Sequence, residues 1–214
     1  MTLAFAAPAQ ITIPVAGSSS LFPVRRIYCV GRNYAEHIKE MGNDLKGTPI
    51  FFQKPADAIV LDGRFPYPPA SDDVHHEIEL VVALGPGATV FGHAVGLDMT
   101  RRDLQSEAKK GGKPWEGAKA FDHSAPVSVI VAGSSALVRG AITLDVNGQR
   151  RQTADISEMI WNVSEIMAEL SKLYELKAGD LIFTGTPSGV GPVQRGDKLH
   201  AEIAGVGGLD VTVV

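Results

Sequence analysis

The sequence predicts a mainly β domain of the α+β class. Three observations indicate it: many short runs rich in β-branched and aromatic residues, few stretches with helical periodicity, and no regular alternation of strands with helices. The chain also contains no internal repeat and no low-complexity segment. The pattern therefore favours a core built mostly from strands.

The predicted strands are short apolar or alternating runs that end at glycine, proline or polar residues. In chain order they cover residues 26–30, 49–53, 77–84, 94–99, 142–146, 180–184, 198–203 and 209–214. Asn147-Gly148 directly follows one of them and is the strongest short hairpin signal in the chain.

Three segments are candidates for helices. Apolar residues recur at the 3.6-residue period over 157–173, which is the clearest helix. Asn33 can cap a second, short helix over 34–41, which Gly42 ends. Residues 101–110 are polar and compatible with a third.

Composition and charge limit the classes of partner. With 214 residues, 44% of them hydrophobic and 21% charged, the chain is long enough for one domain with a sizeable core. A formal net charge of −4 without a basic run argues against a nucleic-acid partner. Because no run of about 18 apolar residues occurs, we expect no membrane partner. We divide the chain into an N-terminal arm, residues 1–25, and a single domain, residues 26–214.

The cysteine content and the first residues indicate the compartment. Cys29 is the single cysteine, so no internal disulfide can form and a reducing environment is expected. The first 24 residues contain no Lys or Arg and are interrupted by prolines, unlike a secretory signal. We therefore expect a cytoplasmic protein.

Two glutamates alternate on one predicted strand. Glu77 and Glu79 are two residues apart and share a face, whereas Ile78 and Leu80 point the other way. Asp98 is a third acid, at the end of another apolar run. Such carboxylates repel one another unless a cation lies between them, and oxygen ligands suit Mg²⁺, Mn²⁺ or Ca²⁺. The alternative is an edge strand whose outer face carries solvated glutamates.

His37 and Glu40 form a second candidate site on the predicted short helix. Residues three apart share a helix face, and a histidine oriented by a carboxylate can take a proton from water. The alternative is a polar surface helix.

A glycine-rich segment from Thr184 to Gly191 follows a predicted strand. Glycines let backbone N–H groups approach an anion, and threonine hydroxyls add donors. The segment lacks the lysine and the following helix of a nucleotide-binding loop, and a plain turn is the alternative.

Taken together, the motifs of this sequence resemble those of one protein family. Six of them occur in a fixed order: Gly31-Arg-Asn-Tyr-Ala-Glu-His37, Phe52-Gln-Lys-Pro55, His76-Glu-Ile-Glu79, Gly96-Leu-Asp-Met-Thr100 with Arg102-Asp-Leu-Gln105, Lys119-Ala-Phe-Asp122 and Thr184-Gly-Thr-Pro-Ser-Gly-Val-Gly191. Over roughly residues 26–214 the chain resembles the fumarylacetoacetate hydrolase family, in its acylpyruvate and fumarylpyruvate hydrolase branch.

The resemblance implies a fold, an assembly and a set of site residues. The fold is a mixed β-sandwich roll of the family's C-terminal-domain type, usually paired into a homodimer. The implied ligands of a Mg²⁺ or Mn²⁺ ion, with Ca²⁺ as a further option, are Glu77, Glu79 and Asp98. The implied catalytic residues are His37, Glu40 and Lys119. The implied substrate-binding residues are Arg32, Lys54, Arg102, Gln105 and Thr186.

The resemblance also implies a reaction. A small 2,4-diketo acid, an acylpyruvate such as fumarylpyruvate, would be hydrolysed at a C–C bond to release pyruvate, with His37 activating the water. Two alternatives within the family are an oxaloacetate decarboxylase and a 2-hydroxy-dienoate isomerase or decarboxylase. A non-catalytic metal-binding scaffold is a further alternative. We also expect residues 32–41 to form a lid, because Gly31 and Gly42 flank them.

Overall fold

A computed structural model describes residues 2–34 and 47–214. Two large sheets and several small ones make up this part of the chain. The strands are β1 Thr12–Pro14, β2 Leu21–Pro23, β3 Arg26–Gly31, β4 Ile50–Lys54, β5 Ile59–Val60, β6 Arg64–Phe65, β7 Val74–His76, β8 Ile78–Leu84, β9 Val90–Leu97, β10 Thr100–Arg101, β11 Ala125–Pro126, β12 Val131–Ala132, β13 Ala141–Val146, β14 Gln149–Asp155, β15 Asp180–Phe183, β16 Gly191–Pro192, β17 Lys198–Ile203 and β18 Gly207–Val213. The helices are α1 Arg102–Lys110, α2 Glu116–Lys119 and α3 Val163–Ser171.

The larger sheet has six strands in the order β12-β9-β8-β15-β3-β4. The pair β15 and β3 is parallel, and all other neighbours are antiparallel. Strand β8 lies inside this sheet, and every residue from Ile78 to Leu84 is buried. The sheet is thus covered on both faces, which explains why its strands are apolar at nearly every position.

Alternate residues of the larger sheet belong to two different cores. On β8, Leu80 and Val82 pack in the core that contains the second large sheet and α3. Val81 and Ala83 pack on the opposite face, with residues of the N-terminal hairpin β1-β2. Successive side chains of a strand point to opposite faces, so one strand serves both cores.

The second large sheet has the order β14-β13-β17-β18-β6. Asn147 and Gly148 connect β13 to β14, and both have a positive φ, 52° and 75°. This is the backbone of the predicted two-residue hairpin turn. The sheet is antiparallel except for the pair β18 and β6.

The prediction of one continuous helix over 157–173 is wrong. A 3₁₀ turn, Ile156–Glu158, is followed by a break, and α3 begins only at Val163. Asn162 is the cause: its side chain accepts from the backbone N–H of Glu165, and the Glu165 carboxylate accepts from the backbone N–H of Asn162. This capping box starts a new helix inside a stretch whose apolar spacing looks continuous.

The fold class predicted from the sequence is confirmed: the described part of the chain is mainly β with few helices. The short helix predicted over 34–41 falls, apart from Tyr34, outside the described residues. Among the described residues, Asn33, its predicted cap, accepts from the backbone N–H of Trp161 and donates to the carbonyl oxygens of Trp161 and Thr184. None of the helices in the two described ranges has the length and apolar character needed to cross a membrane.

Candidate metal centre and active site

The candidate site lies where several ends of the six-stranded sheet meet. Strand β8 runs antiparallel to its two neighbours, β9 and β15, and β3 lies parallel to β15 on the far side. The start of β8 therefore lies beside the ends of β9, β15 and β3. Glu77 directly precedes β8 and Glu79 is its second residue, while Asp98 directly follows β9. The register pairs Glu79 with Gly96, two residues before Asp98. The fold therefore brings the three predicted acids together.

The three carboxylates form a buried cluster, which we call the acidic triad. One oxygen from each of Glu77, Glu79 and Asp98 lies within 4.8 Å of the others. Glu79 and Asp98 are each 1% exposed and Glu77 is 8% exposed. The alternative of an edge strand with solvated glutamates is excluded, since β8 is an inner strand and its acids are covered.

Lys119, at the end of α2, holds two members of the triad together. Its ammonium donates to Glu77 Oε2 at 2.9 Å, to Asp98 Oδ2 at 2.6 Å and to the Thr100 hydroxyl at 2.6 Å. Burial would lower the pKa of Lys119, but the charges of Asp98 and Glu77 prevail and raise it. Lys119 is therefore charged, and its three N–H donors are all engaged.

Two further cations contact the triad. Lys54 Nζ lies 2.8 Å from Asp98 Oδ1, and the guanidinium of Arg102 donates to Glu77 Oε1. Lys54 is 2% exposed and also donates to the carbonyl oxygen of Met99 at 3.2 Å. The Lys54 ammonium therefore lies against Asp98, and the substrate contact that the resemblance implied for Lys54 stays a prediction.

The pKa values of two triad members, Glu77 and Glu79, are shifted in opposite directions. Burial alone would raise the pKa of Glu77, but Lys119 and Arg102 lower it to about 2. Burial raises the pKa of Glu79 well above its ordinary value, and the charges of Asp98 and Glu77 raise it further. Within residues 2–34 and 47–214 the Glu79 carboxylate accepts from the backbone N–H of Gly185 at 2.8 Å and forms no ion pair with a lysine, arginine or histidine.

This imbalance fits a divalent metal. Ionising a buried carboxylate costs free energy when no cation contacts it and two other carboxylates lie beside it. A positive charge placed between the three carboxylates removes this cost. The donor set consists of carboxylate oxygens, which hard ions such as Mg²⁺ and Mn²⁺ prefer. The triad therefore has the burial, spacing and chemistry of ligands for one such ion.

A cavity of about 420 Å³ opens over the triad. Besides the three acids, five other residues implied by the resemblance line it: Arg32, Arg102, Gln105, Lys119 and Thr186. Arg32 has a φ of 60°, a conformation that is uncommon for a residue with a side chain and is often found at functional sites. Its backbone thus supports a role at the cavity.

Gln152 is a buried residue that orients the Thr186 loop and that no sequence pattern indicated. Gln152 on β14 donates to the Thr186 hydroxyl at 2.8 Å and to the carbonyl oxygen of Pro187 at 2.9 Å. Its own oxygen accepts from the backbone N–H of Ile78 and contacts His76 Nδ1. Gln152 thus joins the Thr186 loop, 34 positions away in sequence, to the start of β8 at Ile78, 74 positions away. A glutamine that follows a hairpin turn is common, so the sequence carried no signal of this role.

Two of the implied catalytic residues, His37 and Glu40, lie outside the described residues. The predicted lid over 32–41 lies outside them too, except for residues 32–34. The water-activating pair and the lid therefore stay predictions.

Comparisons with known proteins identify the family of the chain and solved structures that are similar to it. A family model described as the C-terminal part of fumarylacetoacetate (FAA) hydrolase matches residues 26–214. The crystal structure of fumarylpyruvate hydrolase from Pseudomonas aeruginosa in complex with Mn²⁺ and pyruvate is similar with a TM-score of 0.95 and 46% identity, covering 100% of this chain and 99% of that one.

Among the curated relatives, two different activities occur. Fumarylpyruvate hydrolase of Ralstonia sp is 43% identical over 77% of this chain and 92% of its own length. Oxaloacetate tautomerase YcgM of Escherichia coli (strain K12) is 42% identical over 86% of this chain and 90% of its own length. The family match spans the domain that carries the acidic triad and its cations, and the chain belongs to the fumarylacetoacetate hydrolase family.

Proposed function

We propose that the protein hydrolyses a C–C bond in a 2,4-diketo acid, an acylpyruvate such as fumarylpyruvate, and releases pyruvate. The observation that carries this proposal is the buried triad at the base of a cavity with cationic walls, a place for a metal and for an anionic substrate. The similarity to a fumarylpyruvate hydrolase that binds Mn²⁺ and pyruvate supports the choice of reaction.

Glu77, Glu79 and Asp98 would hold one Mg²⁺ or Mn²⁺ ion, with Ca²⁺ as a weaker option. When bound, such an ion supplies Lewis-acid stabilisation of the negative charge that develops on the pyruvate part of the substrate. Lys119 and Lys54 orient two of the ligands, because both ammonium groups contact Asp98 and Lys119 also contacts Glu77.

The remaining residues act on the substrate. His37, oriented by Glu40, would take a proton from the water that attacks the C4 carbonyl. The developing oxyanion would be stabilised by N–H donors of Arg102 and Gln105, which line the cavity. Thr186 would donate to the substrate carboxylate, and Gln152 fixes its hydroxyl. The C3–C4 bond then breaks, and pyruvate leaves as its enolate.

A second candidate is tautomerisation or decarboxylation of oxaloacetate. The identity to oxaloacetate tautomerases favours it. Both reactions need the same ion and an enolate, but neither needs an attacking water. Tautomerisation still moves a proton between C3 and the enol oxygen and can use a general base, whereas the loss of carbon dioxide needs none. Decarboxylation is therefore the reaction that should depend least on His37.

The products distinguish the candidates. We would incubate the Mn²⁺-loaded protein with fumarylpyruvate and with oxaloacetate, and measure pyruvate, carbon dioxide and the enol–keto absorbance change. Hydrolysis predicts equal amounts of pyruvate and fumarate from the first substrate. Rapid enol–keto exchange of oxaloacetate without pyruvate from fumarylpyruvate would overturn the proposal in favour of the tautomerase.

We further propose that the enzyme acts as a homodimer. The support is the resemblance to a family whose members usually pair. Sedimentation velocity at micromolar concentration tests this directly, and a single species with the mass of one chain would contradict it.

A further inference from the structure

We propose that Lys109, together with Arg102, binds a second carboxylate of the substrate and so selects dicarboxylic over monocarboxylic keto acids. This inference rests on the proposed function for the orientation of the substrate, with its keto-acid end at the triad. Lys109 is not among the residues that the family resemblance implied.

The position of Lys109 on α1 directs it into the cavity. Arg102, Gln105 and Lys109 lie three and four residues apart, so they share one face of the helix. All three line the cavity over the triad. Lys110, the next residue on the same helix, does not line it, although both lysines are exposed.

A single amide oxygen holds the two cations side by side. Gln105 Oε1 accepts from Arg102 Nη1 at 2.6 Å and from Lys109 Nζ at 3.1 Å. Arg102 also donates to Glu77. A continuous line of polar contacts therefore runs from the triad through Arg102 and Gln105 to Lys109 along the cavity wall.

The charge of Lys109 is not neutralised by protein in the described ranges. Its ammonium forms no ion pair with a carboxylate there and instead lies 5.1 Å from the centre of the Trp115 ring. Burial lowers the pKa of Lys109, and the positive charges of Arg102 and Arg32 lower it further. An anion placed between these cations would relieve their mutual repulsion.

The formal charges of the described residues around the cavity indicate the same ligand class. The three carboxylates of the triad are matched by three contacting cations, Lys54, Lys119 and Arg102. A divalent ion would add two positive charges, and Lys109 and Arg32 add two more at the cavity wall. A dianionic substrate balances this excess better than a monoanion does.

The first test is binding of two unreactive keto acids of equal chain length to the Mn²⁺-loaded protein. Isothermal titration calorimetry compares 2-oxoglutarate, which has a second carboxylate, with 2-oxopentanoate, which has a methyl group in its place. We expect the wild type to prefer 2-oxoglutarate by roughly tenfold or more. Lys109→Met keeps the packing on Trp115 and should abolish the preference by weakening 2-oxoglutarate alone.

Two variants serve as controls. Lys109→Arg retains a cation and should keep most of the preference, and Lys110→Met removes a neighbouring exposed charge and should keep all of it. No preference in the wild type, or an unchanged preference in Lys109→Met, overturns the proposal. Equal loss with Lys110→Met also overturns it, because the effect would then come from general charge.

A second measurement separates this proposal from the proposed function. We would compare kcat/KM for fumarylpyruvate with that for acetylpyruvate, which ends in a methyl group. Lys109→Met should raise KM for fumarylpyruvate roughly tenfold and leave acetylpyruvate within twofold. If no acylpyruvate is cleaved by the wild type but Lys109→Met still loses its preference in binding, the proposed function fails and the carboxylate subsite stands.

Discussion

Glu79 differs from the other two acids of the triad in what surrounds it. Glu77 and Asp98 each contact a lysine or arginine, whereas the described partner of Glu79 is a neutral backbone N–H from Gly185. The raised pKa favours the protonated form of the Glu79 carboxyl in the metal-free protein. It must lose this proton to become a ligand.

Metal binding should therefore release a proton from Glu79. Because the protonated form predominates below its raised pKa, the affinity for Mn²⁺ should fall about tenfold for each pH unit of acidification in that range. Calorimetric titration of Mn²⁺ in buffers of different ionisation enthalpy should give about one proton released per ion. An enthalpy independent of the buffer would contradict this assignment, and Glu79→Gln should remove the release along with most of the affinity.

His37 separates hydrolysis from the other reactions of an enolate. His37→Ala should lower acylpyruvate hydrolysis by roughly 10²–10⁴-fold, the usual effect of losing a general base. Any decarboxylation of oxaloacetate should be retained much better, since it needs no attacking water. Mn²⁺ affinity should be unchanged, which serves as the control. Near-wild-type cleavage by this variant would instead show that His37 is not the general base of the hydrolysis.

The sequence could predict some of the site residues and not others. Glu77 and Glu79 follow from the two-residue period of a strand, and Asp98 from an acid at the end of an apolar run. Gln152 and Lys109 could not be found in this way, because a polar residue on a hairpin or a lysine on a polar helix is common. Their roles arise only when distant segments meet around the cavity.

At the scale of elements, strands were easier to predict than helix boundaries. The predicted strand over 198–203 agrees with β17, and most others agree within a few residues. The helix over 157–173 was predicted too long because apolar spacing carries no information about a cap inside the run. Asn162 followed by Glu165 three positions later is a capping signal that the periodicity obscured.

Close packing between β8, β9 and β15 supports the triad and can be tested at Gly96. A Cβ at this position would lie 2.6 Å from Val81 Cγ2 and 2.7 Å from Phe183 Cε1. Gly96→Ala should therefore destabilise the protein by about 1–3 kcal/mol, as overpacking does. Chemical denaturation followed by circular dichroism measures the change.

Gly117, inside α2, is the matched control. A Cβ there would meet no atom within 4 Å, so Gly117→Ala should leave the stability unchanged or raise it by up to about 1 kcal/mol. An equal loss of stability in both variants would show that tight packing at Gly96 is not the cause.

At the scale of the whole molecule, pairings between distant segments create the site. Strand β15 lies parallel to β3 and antiparallel to β8, which joins residues near 180 to residues near 26 and 83. No local pattern encodes these partners, so local patterns could predict individual strands but not their order in the sheet. The resemblance to a family supplied the arrangement that periodicity could not.

The central claim is that the triad holds a metal that the cleavage of a diketo acid requires. The most direct measurement is the initial rate of pyruvate release from fumarylpyruvate by chelator-treated protein as Mn²⁺ is added back, for the wild type and for Glu79→Gln. We expect no release without metal, a saturable recovery in the wild type, and little recovery in the folded variant. Pyruvate release that is independent of metal, or equal recovery in Glu79→Gln, would contradict the account.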